Sequence, residues 1–488
     1  REEFPSDALT DMEAGSTSGA GYTNGAGSSE YKMLSYFARV NYTLMDRYLF
    51  EVNMRADASS RFHKDHRWGY FPSFSAGWRM SEESFMKDIE WINNLKIRAS
   101  YGTLGNINNV GNYDYFQNYS SGNHYSFSDS PVIGIGESKP ANETLGWEKV
   151  ALTDIGLDFD IFNGLLGVTA DYYIKNTSDI LLGYNVPTET GITAAPSQNI
   201  GKVKNTGFEL ALNHRNKIGA VNYSIGANIA TNKNKITNLG GSDNIIQTSS
   251  YIVKYILKKG ESIGSFYGFK TDGLYTQADI DAGHYYTLSG VVPNAGDIKF
   301  VPQRDIEYKQ EITDEDRTIL GKDVPDFTYG VNLSLQYKGF EFSMFGQGIS
   351  GTKVAFDVYG VHPFYHGQDS PRKYHLKRWT EENPNPHAAY PRIYSASSVH
   401  TTYNRNFSDY HLFDSDYFRF KTLSLGYTVP SATVKNWGLQ SLKVYVTGEN
   451  LFTVRADKKM EDFDTETAGG VIYTLGTKSV AFGVNISF

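Results

Sequence analysis

The side chains with the clearest capacity to bind a ligand are aromatic residues clustered in two long polar segments of the chain. Rings that carry a polar group can stack on sugar faces or grip peptide side chains, and they are common at interfaces. The alternative is that these rings pack the segments against one another or against a partner. The predicted ligand-binding candidates are Tyr113, Tyr115, Phe116 and Tyr119 in segment 105–146, and Tyr365, Tyr374 and Trp379 in segment 352–414.

Covalent chemistry finds no support in the sequence. The motifs HExxH, GxSxG and the P-loop are absent. The pairs His63/His66 and His362/His366 have spacings that 11 histidines in a chain of this size produce by chance. We therefore expect no catalytic residue, no cofactor and no transition-metal site, and the sequence does not favour an enzyme.

One stretch, GDIKFVPQRDIEYKQEITDEDR (296–317), leaves a calcium site open. Three carboxylates match positions where a calcium loop places its oxygen ligands: Asp305, Glu307 and Asp316. Lys309 and Gln310, however, stand where such a loop needs an acid and the glycine of its sharp turn. The alternative is a solvated loop followed by a helical turn that Thr313 caps, with Asp316 in the capping-box position.

The composition narrows the class of protein. The 488 residues carry 46 Lys+Arg and 54 Asp+Glu, a formal charge of −8, which argues against a nucleic-acid partner. The chain has no cysteine, so a disulfide scaffold, a thiolate zinc site and an iron–sulfur cluster are excluded. Mean hydropathy is −0.43, and the absence of any long apolar run excludes helical membrane spans. The 35 Tyr, 29 Phe and 47 Gly indicate many strands and turns.

The elements that must position the candidate residues follow from hydrophobic alternation with a period of two. In 326–338, for example, every second residue from Phe327 to Tyr337 is apolar. Most such segments exceed the usual strand of about 5–6 residues and suit tilted membrane strands of about 9–11. The alternation slips at 418–423, which predicts a β-bulge. We predict 13 strands: 31–44, 47–59, 70–81, 94–104, 147–161, 164–176, 201–216, 220–234, 326–338, 340–351, 415–429, 441–453 and 478–488.

Short and long connections alternate between these segments. Tight turns are predicted at Met45-Asp46, Phe162–Gly164, Lys217–Gly219 and Lys338-Gly339. The long connections include 105–146, 235–325 and 352–414, with 42, 91 and 63 residues. All short turns would then lie at one end of the sheet and all long loops at the other. Outer-membrane barrels have this asymmetry, with short periplasmic turns and long extracellular loops.

The two faces of the predicted strands differ in polarity. One face is apolar and would contact lipid, whereas the other suits a wet lumen because it carries Arg39, Glu51, Arg55, Lys96, Arg98, Asp158, Asp160 and Asp171. The pattern therefore predicts an all-β protein, a transmembrane antiparallel β-barrel. A large soluble β-sandwich or solenoid is the alternative, but it gives no reason to segregate loops by length.

Thirteen is an odd number, and bacterial barrels normally have an even one. We therefore expect 31–488 to be the C-terminal portion of a larger barrel, entered through a Gly/Ser-rich extracellular loop at 1–30. The last strand ends in the alternating apolar residues Val480, Phe482, Val484, Ile486 and Phe488. They resemble the assembly signal of outer-membrane barrels, and they also form the last lipid-facing strand.

Nine stretches, in order along 31–488, resemble the SusC/RagA-type TonB-dependent transporters of Bacteroidetes outer membranes. They include RADASSRF (55–62), RWGYFPSFSAGWRMSEESF (67–85), GESIGSFYGFKTDGLY (260–275), DYFRFKTLSLGYTVP (416–430) and FGVNISF (482–488). The resemblance implies a 22-stranded barrel, a plug domain inside it and a TonB-binding segment. It also implies a SusD-like lipoprotein that closes over the extracellular mouth. On this resemblance, we expect the plug and the first strands to lie outside this chain.

The resemblance implies active import of oligosaccharides or oligopeptides across the bacterial outer membrane. Expected partners are a SusD-like surface lipoprotein, TonB through the missing N-terminal part, outer-membrane lipid and a glycan or peptide ligand. A dimer of transporter–lipoprotein pairs is a candidate assembly, and no nucleic acid is expected. Two alternatives stay open: a TonB-dependent receptor for a siderophore or cobalamin without a lid, and a structural or adhesion barrel that transports nothing.

Overall fold

A computed structural model describes residues 27–127, 130–183, 197–248, 252–356, 361–364, 370–466 and 476–488. Thirteen strands lie side by side in one antiparallel sheet, and each pairs with the next along the chain. They are β1 (Met33–Leu44), β2 (Tyr48–Ser59), β3 (Trp68–Arg79), β4 (Ile92–Asn106), β5 (Glu148–Ile161), β6 (Leu166–Gly183), β7 (Ser197–Ile218), β8 (Val221–Thr231), β9 (Phe327–Tyr337), β10 (Phe340–Ser350), β11 (Tyr417–Thr428), β12 (Ser441–Arg455) and β13 (Ser479–Ser487). The predicted strand number and order are confirmed.

Most observed strand ends lie within three residues of the predicted ones, but β6 and β7 are longer. β6 continues to Gly183 and β7 begins at Ser197. A further strand, Lys233–Leu239, pairs with the first part of β7. The strict alternation that marks a wall between lipid and water is weaker in these extensions, which is why the sequence pattern ended the two strands early.

Tight turns join the strands at one end of the sheet, which we call the turn end. Met45 and Asp46 have positive φ angles of 53° and 56°, as Lys338 and Gly339 do at 47° and 89°. Lys338-Gly339 is a two-residue loop, whereas Leu44 pairs with Tyr48 and leaves 45–47 as a three-residue loop. Left-handed turn residues of this kind match the twist of antiparallel strands. The turn between β7 and β8 differs slightly from the prediction, because Ile218 pairs with Val221 and leaves Gly219-Ala220 as the loop.

The predicted bulge lies at Lys421 in β11. Against β10 the register steps from Phe420 to Thr422 while β10 advances by one residue, so Lys421 is the extra residue in that pairing. Against β12, Phe420 pairs with Phe452 and Thr422 with Glu449, so the extra residue in that pairing belongs to β12. An extra residue shifts the side-chain alternation by one. Phe418 and Phe420 before it therefore point to the same side of the sheet as Leu423 and the apolar residues after it. The bulge keeps the apolar side continuous.

The sheet has an apolar face and a polar face, in the phase that the sequence predicts. Apolar-face residues such as Ile155, Leu425 and Val484 are exposed. Aromatic rings cluster on this face near the turn end, where Phe340 and Tyr427 have ring centroids 4.5 Å apart. Such rings suit the boundary between lipid and water. We call the side that carries the eight charged residues predicted to line a lumen the polar face, and the opposite side the apolar face.

The long connections at the other end, the loop end, fold into additional structure that we call the loop layer (described residues of 107–147, 232–326, 351–416 and 456–478). Its strands are Asn118–Phe127, Ser130–Lys139, Lys233–Leu239, Asn244–Thr248, Lys254–Lys258, Ser265–Gly268, Lys270–Leu274, Thr287–Leu288, Ile298–Val301, Glu311–Ile312, Thr318–Lys322, Lys353–Ala355 and Leu412–Asp414. Short α-helices span Gln277–Asp281 and Val399–Asn404, and 3₁₀ turns span Asp314–Asp316, Lys373–Lys377, Asp409–His411 and Lys458–Asp462. Near the turn end lie the α-helix Ser431–Lys435 and the 3₁₀ turn Met80–Glu82.

The sequence DSPRKYHLKRWTEEN (369–383) predicts a short helix with Ser370 as its N-cap and Pro371 as its first residue. That prediction is wrong, because among the described residues 370–383 the helical structure is the 3₁₀ turn Lys373–Lys377. The backbone N–H of Arg372 donates to His375 Nδ1 at 2.7 Å. This side-chain cap and the burial of His375 fix the turn in place of a longer helix.

The largest apolar clusters of the described residues lie in the loop layer rather than within the sheet. One joins the segments around 269–312 to Trp379, Ala388 and Tyr403. Among the described residues, no helix has the length and apolar character needed to cross a membrane. Along the described ranges, β1 pairs only with β2 and β13 only with β12, so both edges of the sheet are open. In hydrocarbon, the backbone groups of these edges need further partners.

The assignment of the two faces predicts how the sheet responds to charge. Val331→Lys or Val484→Lys should prevent assembly, because a lysine on the lipid side costs about 2–4 kcal/mol near the membrane midplane. Asn332→Lys and Asn485→Lys are the matched controls, one position along on the polar face, and should assemble normally. Heat-modifiable migration of the full-length protein from isolated outer membranes measures assembly. Equal loss in both pairs would contradict the assignment.

Candidate functional site

A ladder of ion pairs crosses the middle of the polar face. The Arg98 guanidinium lies 3.3 Å from carboxylate oxygens of both Asp154 and Asp158, and its closest contact to Asp171 is 2.6 Å. Lys96 Nζ lies 3.5 Å from Asp158. Adjacent strands supply the two signs, since β4 carries the cations and β5 and β6 the carboxylates. The charges predicted for a wet lumen therefore lie together on one face.

Gly156 makes room for this ladder. It lies opposite Arg98 in the β4–β5 register and opposite Asp171 in the β5–β6 register. A Cβ at position 156 would lie 2.3 Å from Asp171 Oδ1 and 2.5 Å from Arg98 Cζ. Only glycine lets the guanidinium lie flat across β5 between its carboxylates.

The ladder continues toward β1 and β2 with a second group. Arg39 pairs with Glu51, which also accepts from Asn53 Nδ2 at 2.7 Å. Arg55 Nε donates to Asp57 Oδ2 at 2.6 Å. Asp57 is 5% exposed, near the loop end of β2. Two hollows open on this part of the polar face, with volumes of about 420 and 900 Å³, and the larger includes Arg55 and Asp57.

The aromatic candidates of segment 105–146 divide between a core and the surface. Tyr115 is buried in a cluster of loop-layer residues with Phe71 of β3. Tyr113 and Phe116 are 45% and 50% exposed. Tyr115 and Phe116 have ring centroids 4.2 Å apart, so the exposed ring is held by the buried one. The backbone of Tyr119 lies in the strand Asn118–Phe127.

Tyr374 and Trp379, the candidates of segment 352–414 that fall among the described residues, are core residues of the loop layer. Tyr374 is 6% exposed, and its hydroxyl donates to the carbonyl of Val361 at 2.9 Å. Trp379 is 5% exposed and lies against the α-carbon of Gly296, where a Cβ would meet the indole at 2.5 Å. Tyr365 lies outside the described residues. Ligand contact by Tyr374 or Trp379 would require the loop layer to open.

Three buried histidines join separate segments of the loop layer, and sequence reasoning missed them as a group. His362 Nδ1 is 3.0 Å from the Tyr390 hydroxyl, and His375 Nε2 is 2.8 Å from the carbonyl of Val361. His411 contacts His362, with ring centroids 5.4 Å apart. Burial lowers the pKa of His411 to about 4 and also lowers the pKa values of His362 and His375. Their spacing in the chain carried no signal, because loop segments supply them independently.

Asp297 of the GDIKF stretch is a second junction of the loop layer. It is fully buried, and its carboxylate accepts from Asn404 Nδ2 at 2.8 Å and from the backbone N–H of Asn294 at 2.7 Å. His400 Nδ1 lies 2.7 Å from the same group. Both partners on 399–404 belong to a short helix more than 100 residues away in sequence, so Asp297 fixes one long connection against another.

The carboxylate of Asp316, the third residue of the possible calcium site, is occupied by protein donors. Arg304 Nη2 lies 2.7 Å from it, and the backbone N–H groups of Gln303, Arg304 and Thr313 donate at 2.9–3.0 Å. Asp316 is fully buried, and these donors hold its pKa at about 2, against the effect of burial. The contact with Thr313 is the backbone half of the capping box that the alternative predicted. Asp305 and Glu307 are exposed, and no group of three metal-binding side chains occurs among the described residues. A calcium ion here stays an untested prediction.

A buried arginine attaches the last long connection to the polar face. Arg419 is 5% exposed in β11, with Nη2 2.7 Å from Asp464 and Nη1 3.0 Å from Glu466. Lys421, the bulge residue, lies 2.8 Å from Glu466. Asp464 and Glu466 follow β12, so this connection turns back onto the polar face near the loop end. The period-two pattern placed Arg419 on a strand but gave no indication of its partners.

The C-terminal residues occupy the positions that the sequence indicated. Val480, Phe482, Val484 and Ile486 alternate along β13 and are exposed at 50–84%. Phe488 follows the strand and is 81% exposed. Their role as an assembly signal stays a prediction.

These features define a class of protein. An up-and-down antiparallel wall with an apolar outer face, a charged inner face, tight turns at one end and a folded loop layer at the other is the wall of an outer-membrane β-barrel. Residues 4–451 match the family model "TonB dependent receptor-like, beta-barrel". The chain belongs to this family, it is an outer-membrane protein, and its resemblance to the SusC/RagA type is confirmed.

Individual relatives support the same assignment. The chain is 32% identical to TonB-dependent receptor P3 of Formosa agariphila over 87% of its own length and 41% of the relative. It is 29% identical to TonB-dependent receptor SusC of Bacteroides thetaiotaomicron over 93% of its length and 43% of that protein. The structure of the RagAB peptide transporter superposes with a TM-score of 0.76 and 25% identity, over 99% of this chain and 50% of that one. The chain thus spans about half the length of the relatives it matches.

The space at Gly156 can be tested directly. Gly156→Val should displace Arg98 from its carboxylates, which leaves like charges facing one another on β5 and β6, and should lower the unfolding temperature of the full-length barrel. Val331→Ile adds a methylene on the apolar face and is the control. Thermal unfolding in detergent is the measurement. An unchanged transition for Gly156→Val would show that the ladder does not need this space.

The buried histidines predict an acid-sensitive loop layer. Their pKa values are lower in the folded state than in the unfolded state, so between about pH 6.5 and pH 4 the unfolded loops bind protons that the folded ones exclude. The loop layer should therefore be most stable above pH 6.5 and lose stability, on the order of a few kcal/mol, as the pH falls through this range. Limited proteolysis of the full-length protein across this pH range measures it.

His411→Asn cannot take up that proton, so its loss of protease resistance should begin at lower pH than in the parent protein. His387→Asn is the control, because His387 is exposed in the same layer. A pH profile that is identical for all three proteins would exclude the histidine cluster as the cause.

Proposed function

We propose that this chain is the C-terminal part of a TonB-dependent importer that takes up oligosaccharides or oligopeptides together with a SusD-like lipoprotein. The observation that carries the proposal is the combination of a charged inner face with a thick, internally packed loop layer at its mouth. A channel for small ions needs no such layer. A layer with its own apolar cores can present a stable surface to a second protein and to a large ligand.

The proposed mechanism is transport without a covalent step. Ligand binds between the loop layer and a lipoprotein lid. TonB, acting through a plug domain in the N-terminal part, then opens a path along the polar face. The likeness to SusC and to the RagAB peptide transporter supports a lipoprotein partner for this chain. On this proposal 1–30 is an extracellular loop and 31–488 the C-terminal portion of a 22-stranded barrel, and a dimer of transporter–lipoprotein pairs is compatible with it.

Exposed rings of the loop layer are the proposed contacts for ligand or lid. Tyr113 and Phe116 meet this requirement because both are exposed, Phe116 lies against the buried Tyr115, and Tyr113 lies against Phe116. Tyr374 and Trp379 are proposed to act indirectly, since they maintain the shape of the layer from within its cores. Tyr119 and Tyr365 keep their place as candidates from the sequence.

The function is tested with the full-length gene in its own host. Affinity purification of the tagged full-length protein should bring down a surface lipoprotein. Deletion of the gene should abolish growth on an oligosaccharide mixture or on an oligopeptide mixture as the sole carbon source, and deletion of tonB should have the same effect. Growth on glucose is the control.

Two results would contradict the proposal. Normal growth of the deletion strain on both mixtures, with no lipoprotein in the purified sample, would exclude import of either class. Loss of siderophore or cobalamin uptake instead would favour the receptor without a lid.

A further inference from the structure

Three aromatic rings form a flat surface on the apolar face, near the loop end of β1 and β3, which we call the aromatic shelf (Tyr36, Trp68 and Tyr70). The rings of Tyr36 and Trp68 stack, with centroids 6.0 Å apart and planes inclined by 11°, and Tyr70 continues the stack at 6.5 Å from Trp68. Ala56 of β2 pairs with both Tyr36 and Tyr70. Its small side chain lets rings from β1 and β3 meet across the middle strand. All three rings are exposed.

Stacked rings alone are an ordinary feature of a barrel's outer surface, because aromatic residues gather where lipid meets water. The apolar face has a second stack near the loop end, where Tyr329 of β9 and Phe418 of β11 lie 6.1 Å apart across Gly348 of β10. Asp326, which directly precedes β9, is neutralised there by Lys322. The aromatic shelf has different charged neighbours, and they are what points to a ligand.

Two exposed lysines border the aromatic shelf on the side away from the membrane centre. Lys32 precedes β1, and its backbone continues the pairing with β2, since the N–H of Ser60 donates to the carbonyl of Lys32 at 3.0 Å. The period of two therefore places Lys32 on the same face as Tyr36. Lys64 lies in the connection 60–67, which leads directly into Trp68. Neither lysine forms an ion pair with another residue of the described ranges.

The stretches 30–32 and 60–68 keep an excess of positive charge. Two acidic residues and four basic ones leave two positive charges uncompensated; they are Glu30, Asp65, Lys32, Arg61, Lys64 and Arg67. Asp65 lies 3.4 Å from His63 Nδ1. Arg61 and Arg67 donate to neutral oxygens, those of the Asn112 side chain and of backbone carbonyls. These bonds hold the connection in place without neutralising it.

The position of the aromatic shelf on the wall restricts the chemistry of its ligand. The shelf faces lipid at the loop end, which is the extracellular end of such barrels, so a molecule that covers it belongs to the outer leaflet. Exposed rings of Tyr and Trp suit a flat, partly apolar sugar face, and lysines at a membrane surface attract lipid phosphate. Toward the membrane centre, the exposed pair Val40 and Val52 offers a surface for acyl chains. A phosphate, a sugar and acyl chains in this order describe a phosphorylated glycolipid.

We propose that the aromatic shelf, together with Lys32 and Lys64, is a binding site for a phosphorylated glycolipid of the outer leaflet. The sugar lies on the rings, the phosphate binds the two lysines, and the acyl chains follow the apolar face. The site is on the outside of the wall, so it is separate from any import path and does not depend on the imported substrate. Phe62 of the same connection is buried against Trp147. Bound lipid would therefore attach this part of the loop layer to the membrane surface.

The test is the binding of three lipids to the detergent-purified full-length protein, measured by native mass spectrometry. The probes are lipid A, dephosphorylated lipid A and phosphatidylglycerol, which has a phosphate but no sugar ring. The parent protein should bind lipid A about tenfold more tightly than either of the others. The double variant Lys32→Gln, Lys64→Gln should bind lipid A about tenfold or more weakly, because each lysine near lipid phosphate contributes roughly fivefold. Lys87→Gln with Lys435→Gln, two exposed lysines near the turn end, is the matched control and should bind as the parent does.

A second variant tests the rings. Trp68→Leu keeps an apolar side chain in the membrane but removes the central ring of the aromatic shelf, so it should weaken lipid A and leave phosphatidylglycerol unchanged. Equal affinity for lipid A and its dephosphorylated form, or equal lipid A affinity of the double lysine variant and the parent, would overturn the proposal. Phosphatidylglycerol bound as tightly as lipid A would also overturn it, because the sugar would then not be recognised. Heat-modifiable migration of each variant shows whether a loss of binding is a loss of assembly.

Discussion

The constraint on which the rest of the structure depends is that hydrocarbon offers no partner for backbone N–H and C=O groups. Each strand of the wall therefore pairs with the next from β1 to β13, and the connections 219–220 and 338–339 at the turn end contract to two residues. Met45-Asp46 and Lys338-Gly339 adopt left-handed conformations for this reason. The bulge at Lys421 shows the same rule locally. The backbone pairing accommodates the change of register without opening, and the apolar face stays continuous on both sides of the bulge.

The same constraint determines where charges can lie. A strand with one face in lipid must put every charge on the other face, so cations and carboxylates from adjacent strands come into contact. Arg98 meets three carboxylates this way, and Gly156 removes the side chain that would separate them. The position of the charged residues in the wall is therefore a consequence of the fold. Pairing between cations and carboxylates allows many ionised groups to lie on one face.

The wall was predictable from the sequence to the level of individual turns, whereas the loop layer was not. The alternation of apolar and polar residues is a local signal. Every residue of a strand between lipid and water contributes to it, so all thirteen strands and the bulge could be located. In the extensions of β6 and β7 both faces lose that contrast, and the prediction stopped short. Tyr374 and Trp379 were candidates for exposed ligand contacts, yet each packs against segments more than ten residues away in the chain. Nothing local distinguishes a loop aromatic that faces solvent from one that faces another loop.

The buried groups of the loop layer indicate why its sequence is so unlike that of the wall. Asp297 joins residues about 100 positions apart, and Arg419 ties the last connection to β11. Each junction uses a charged or polar side chain whose removal would leave a buried partner unsatisfied, which is costly. An apolar contact can slide, but a buried carboxylate with three donors fixes one arrangement. Specific polar junctions thus fix the conformation of the loops, as backbone pairing fixes the conformation of the wall. The loop surfaces between those junctions are free to differ with the ligand.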